Sequence, residues 1–180
     1  MKFLCALFAG LFASTTANAA PPNPADAMKE MRLMWLTRVP EKESYKNKDE
    51  VVAVLMDWPV GDQTATVLAS SGGDASLYTT STFGIIGGAG HKNVRKAASA
   101  FVMCAQKHVG VTTPTKEYPY PDKQTLRFYI VTPAGVRTVS FPMKSIDETG
   151  SVAEALFACG QQVLTELHMS SEDRTNKEKR

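Results

Sequence analysis

The chain has 180 residues, 43% hydrophobic, 21% charged and 8% aromatic, with a formal net charge of +2 and 3 cysteines. That length suits one domain of ordinary size, able to bury a real apolar core without metals or disulfide staples. The near-neutral balance excludes bulk electrostatic attraction to nucleic acid or acidic membranes. The composition excludes collagen, low-complexity disorder and a disulfide-dense miniprotein.

Residues 1–19, MKFLCALFAGLFASTTANA, have the layout of a secretory signal peptide. Lys2 supplies the cation, residues 3–13 an apolar run, and Ala17-Asn18-Ala19 a small-x-small cleavage pattern. The run is shorter than the roughly 20 residues that span a bilayer. Cleavage would leave residues 20–24 as an extended leader, 25–169 as a single domain and 170–180 as a disordered charged tail. The expected mature chain has 161 residues at +1, no transmembrane segment, and a periplasmic or secreted address. It keeps Cys104 and Cys159, an even number in an oxidising compartment. A disulfide between them and two separate buried thiols are both compatible with the sequence.

Asn23-Pro24 reads as an N-cap with proline at the first helical position, and Met28, Met31, Met34 and Trp35 follow at helical spacing to about Arg38. A charged connector, 39–50, leads to three strands. VVAVLMDW (51–58) is apolar on both faces, as a central strand would be, and TATVLAS (64–70) and ASLYTTS (75–81) follow across short turns. Connections that short make an antiparallel meander. The Gly-rich passage GIIGGAGH (84–91) enters a helix at 92–108, lined by Val94, Ala97, Ala98, Phe101, Cys104 and Ala105. A loop with three prolines and two tyrosines precedes a hairpin of 126–132 and 136–142. Ser151 and Glu154 form a capping box for a last helix with Leu156, Val163 and Leu167 on one face.

The order α-βββ-α-ββ-α predicts an α+β domain with a single five-stranded antiparallel sheet and flanking helices. As a topology it resembles the profilin/roadblock-like folds and the class I type III secretion chaperones. That resemblance rests on element order, without a shared motif, and assigns no functional residue.

The passage before the second helix is the leading candidate site. Gly87, Gly88 and Gly90 let the backbone turn sharply and approach a ligand, and the following helix start offers amide groups and a positive dipole end. Its first turns carry His91, Lys92, Arg95 and Lys96 without an acid, against the usual preference for Asp or Glu there. Such departures mark function or strain. They suit an anionic ligand or an acidic partner side chain; a solvated basic turn is the bland alternative. Tyr118 and Tyr120, in a stiff Tyr-Pro-Tyr-Pro segment, offer a partner surface or a cover for the core.

Weaker candidates complete the survey. The Met28-Met31-Met34 stripe suits soft metal in principle and core filling in practice. Cys104 and His108 share a helix face but lack further ligands, and Asp57 and Asp62 near the first hairpin form an acid/base pair only if the fold joins them. The expectation is an exported, non-catalytic binding or assembly module for a protein partner or small anionic ligand, with no metal or cofactor. A small periplasmic hydrolase or transferase using His91, with Tyr78 or Asp57 beside it, is the alternative. A homodimer through the sheet edge or the Met-bearing helix is a third reading.

Overall fold

Asn23 opens the first helix through its side chain, which accepts the Ala25 N–H at 3.2 Å, with proline in the first turn. The computed structural model describes residues 23–38, 45 and 47–178; the expected signal peptide, residues 20–22 of the expected leader, residues 39–44 and 46 of the 39–50 connector and the last two residues of the expected tail lie outside the described residues. In chain order the elements are α1 (Pro24–Thr37), β1 (Ala53–Val60), β2 (Gln63–Ser70), β3 (Ala75–Thr79), β4 (Gly84–Ile85), α2 (Lys92–His108), β5 (Thr113–Pro114), β6 (Thr125–Thr132), β7 (Gly135–Pro142) and α3 (Val152–Glu178). The fold is α+β, with one antiparallel sheet ordered β4-β3-β2-β1-β6-β7-β5.

The sheet has seven strands, not the expected five. The two extra ones are two residues long: β4 pairs with Leu77 and Tyr78, and β5 with Thr138 and Arg137. Elements that short carry no period-two pattern, and these lie inside the Gly-rich passage and the proline loop.

β1 lies between β2 and β6, so both of its edges are paired and both of its faces are covered. That placement explains an unbroken apolar run where a one-sided strand would alternate. Val54 and Met56 join the larger core, with Phe101 of α2 and Leu156, Val163 and Leu167 of α3. Ala53 and Leu55 turn the other way, toward Leu36, Met28, Met31 and Trp35 of α1. The sheet is therefore the middle of three layers, with α1 on one face and α2 and α3 on the other.

Two local features set the α2–α3 layer. The Ser151 hydroxyl accepts the Glu154 N–H at 3.0 Å, and the Glu154 carboxylate reaches back to the Gly150 N–H at 2.6 Å, so the capping box forms with its return bond one residue early. Gly160 lets α3 settle closely on the sheet, since a Cβ there would stand 2.5 Å from the Met56 methyl carbon. α3 then continues to Glu178, past the expected domain end at 169. Ser170 is buried, and the Ser170 and Ser171 hydroxyls donate to the Leu167 and His168 carbonyls, absorbed within the helix.

Candidate functional site

Gly87 holds a φ of +85°, a backbone state that favours glycine, and a single 3-10 turn, Gly88–Gly90, follows it. Gly88 is buried: a Cβ there would lie 2.6 Å from Val94 and 2.7 Å from Leu167, so this glycine serves close packing. Gly90 faces open space. His91 caps α2 with extended backbone, but its side chain makes no capping bond, and no acid occupies the first turn. The leading amides of the helix thus have no side-chain acceptor, and the positive end of the dipole is uncompensated.

Arg95 does not share that freedom. Its guanidinium donates to the Ala89 carbonyl at 2.6 Å, and its stem lies over Gly73, 3.1 Å from where a Cβ would sit. It ties the glycine turn to the helix. His91 and Lys92 instead line an open pocket of about 240 Å³ with Asn93, Val94, Glu166, Met169 and Ser170. The Glu166 carboxylate accepts the Gln162 amide at 3.1 Å, and the Ser170 hydroxyl donates to Leu167 O at 2.9 Å. Both are engaged on their own helix. Asp57 and Tyr78 lie on the α1 side of the sheet and are not brought to His91.

A second polar constellation, absent from the sequence reading, sits on that side. Arg32 of α1 and Asp57 of β1 are 1% and 0% exposed and form an ion pair. Arg32 Nε donates to both carboxylate oxygens, at 3.3 and 3.1 Å, and Nη2 adds a further bond to Oδ2. The Thr66 hydroxyl donates to Asp57 Oδ1 at 2.5 Å, and Arg32 Nη1 reaches the Tyr118 carbonyl at 3.0 Å. Burial pushes the Asp57 carboxyl up, and the Arg32 charge and hydrogen bonds pull against it. Burial alone would lower the guanidinium; the Asp57 charge outweighs it and raises Arg32 above its ordinary value. The signal was available: an acid inside a strand buried on both faces needs a buried cation.

The Tyr-Pro loop closes over this pair. The Arg32 guanidinium lies 4.2 Å from the Tyr120 ring centroid, and Tyr118 meets Tyr129 edge-on at 5.9 Å. The Tyr129 hydroxyl donates to the Pro119 carbonyl at 2.7 Å. Tyr118 and Tyr120 are half-buried, each with one surface turned to solvent. Asp62 pairs with exposed Lys123 at 2.5 Å, so Asp57 and Asp62 do not act together. In the Met stripe, Met28 packs against Gly84 and Met34 is exposed. Among the described residues, no group of three or more His, Cys, Asp or Glu side chains has metal-holding geometry, and no helix is long and apolar enough to cross a membrane.

Cys104 and Cys159 face each other across the α2–α3 seam. The sulfurs are 2.9 Å apart, beyond the about 2.05 Å of a disulfide bond, so both are free thiols in this structure. The Cys104 thiol also points at the Ala155 carbonyl, 3.5 Å away, rather than toward a site with His108.

Compared with known proteins, the chain matches no family model, no curated protein and no solved structure.

Proposed function

We propose that this protein is an exported, non-catalytic binding or assembly module that takes an acidic ligand or partner at the start of α2. The observation that carries the reading is the uncapped, acid-free first turn of α2, where His91 and Lys92 line an open pocket. Amide groups, the dipole and the Lys92 charge favour a carboxylate or phosphate there, against the Glu166 carboxylate on the facing helix. A protein partner suits the surroundings better than a small metabolite. The pocket is shallow, Met169 at its wall is 57% exposed, and Phe83 and Ile86 on the chain entering the turn are 56% and 46% exposed. Gly87 and Gly90 turn the chain into α2, Gly88 packs beneath Val94 and Leu167, and Arg95 ties the turn to the helix. Tyr118 and Tyr120 face another side of the molecule, where their outer surfaces would serve a separate contact. The address rests on the sequence of residues 1–19, and periplasm or medium are the destinations it implies.

The test uses the mature chain with inorganic phosphate, citrate and a poly-glutamate peptide as probes in thermal-shift titrations. Poly-glutamate should raise Tm most, with the shift fading as salt rises. The variant His91→Ala/Lys92→Ala should lose at least ten-fold in apparent affinity, whereas Tyr120→Ala should leave it unchanged. Equal shifts in wild type and the double variant overturn the site.

A further inference from the structure

We propose that Cys104 and Cys159 are a thiol–disulfide exchange pair, with Cys159 the attacking sulfur and Cys104 the resolving one, acting on disulfides of other proteins or of glutathione type. The inference is independent of the α2 anion site.

Geometry supplies the pair. α2 and α3 share a seam, and Gly160, next to Cys159, lets α3 settle against Met56 of the sheet with Phe101 of α2 beside it. The thiols end 2.9 Å apart, so closing the bond needs a sulfur shift of about 1 Å rather than a refolding step. Both side chains are half-buried at the edge of the α2–α3 core.

Geometry also separates their roles. The Cys104 thiol has a carbonyl acceptor in Ala155, which holds its proton in place. Cys159 lies 2.9 Å from the Cys104 sulfur. That contact pulls Cys159 down to about 7, against its own burial and with help from the charge of Lys107. Cys104 is pushed far up by the same contact, by burial and by the neighbouring thiolate. Cys159 is therefore the readier of the two to lose its proton, and Cys104 the readier to keep it.

The step balances within the two reactants. The Cys159 thiolate attacks one sulfur of an external disulfide, forming a mixed disulfide and releasing the first thiolate. Cys104 then gives up its proton and attacks the Cys159 sulfur, forming the Cys104–Cys159 bond and releasing the second thiolate. Two electrons pass to the external disulfide, which leaves as one thiol carrying the Cys104 proton and one thiolate that takes from solvent the proton Cys159 had shed. The protein is left oxidised, with α2 bonded to α3.

The experiment incubates the mature chain with mixtures of oxidised and reduced glutathione, quenches with an alkylating agent and counts free thiols by mass spectrometry. Wild type should close to an intramolecular disulfide and reopen as the reduced form is raised. Cys104→Ser should accumulate one glutathione on Cys159, at a rate that rises with pH as the Cys159 thiol ionises. Cys159→Ser should react at least ten-fold more slowly at pH 7. Comparable circular dichroism spectra for both variants keep the comparison valid. A full chain that never closes, two single variants that react at equal rates, or a closed bond that reduced glutathione cannot reopen would each overturn the proposal; the last would make it a structural disulfide.

Discussion

The two faces of the sheet are held by different physics. Under α2 and α3 the contact is apolar, with Phe101 meeting Phe128 edge-on at 6.5 Å and Leu156, Val163 and Leu167 fully buried. Under α1 the apolar contact is smaller, and at its centre is a buried ion pair whose spare hydrogen-bonding groups are met by Thr66 and Tyr118. An apolar layer tolerates exchange of one hydrophobe for another of similar volume, because its attraction has no direction. The polar layer specifies one docking position for α1, because displacement leaves two buried charges without partners. The sheet thus carries one interchangeable face and one keyed face.

The sharpest way to break this contrast is Asp57→Ala, which strands the Arg32 guanidinium. It should cost about 3–5 kcal/mol in urea unfolding, and α1 should become the first site of proteolysis. Replacing the pair together, Arg32→Met with Asp57→Leu, should recover most of that loss. A double variant as unstable as the single would show that packing, not charge, carries the α1 side. On the apolar face, Gly160→Ala drives a methyl against Met56 and should cost about 1–3 kcal/mol, leaving α1 protected. Away from both faces, Lys123→Ala removes an ion pair whose partners are 72% and 88% exposed. Its effect on the unfolding free energy should stay within about 1 kcal/mol and vanish in high salt.

Legibility in the sequence followed the same division. The apolar face announces itself by period: the helical spacing from Val94 to Ala105 gives α2 its limits, and Ser151 with Glu154 gives α3 its start. Asn23 and Pro24 mark α1 equally well. The keyed face does so only by half: Asp57 inside an apolar run calls for a buried cation, but which cation, 25 residues away, has no local signature, and the nearby hairpin makes Asp57 resemble a turn acid. β4 and β5 are set by pairing to a neighbour that only the folded sheet supplies. The end of α3 escapes for another reason, since a charged, serine-rich stretch resembles a tail until its hydroxyls bond within the helix. Among the candidate site residues, spacing brought His91 and Lys92 to one pocket but could not show that Arg95 is spent on the Ala89 carbonyl.

The Arg32 bonds also set an order of events as the chain is made. α1 is the first described element to emerge during synthesis, yet its acceptors arrive 25 and 86 residues later, at Asp57 and Tyr118. Until the Tyr-Pro segment exists, the guanidinium lacks its Tyr118 acceptor and the Tyr120 ring beside it, although the strands that meet the methionines are already made. Docking α1 then closes the longest loop among the side-chain bonds described here, a step whose entropy is lost before its contacts are gained. The element made first is the one that must wait for most of the chain behind it.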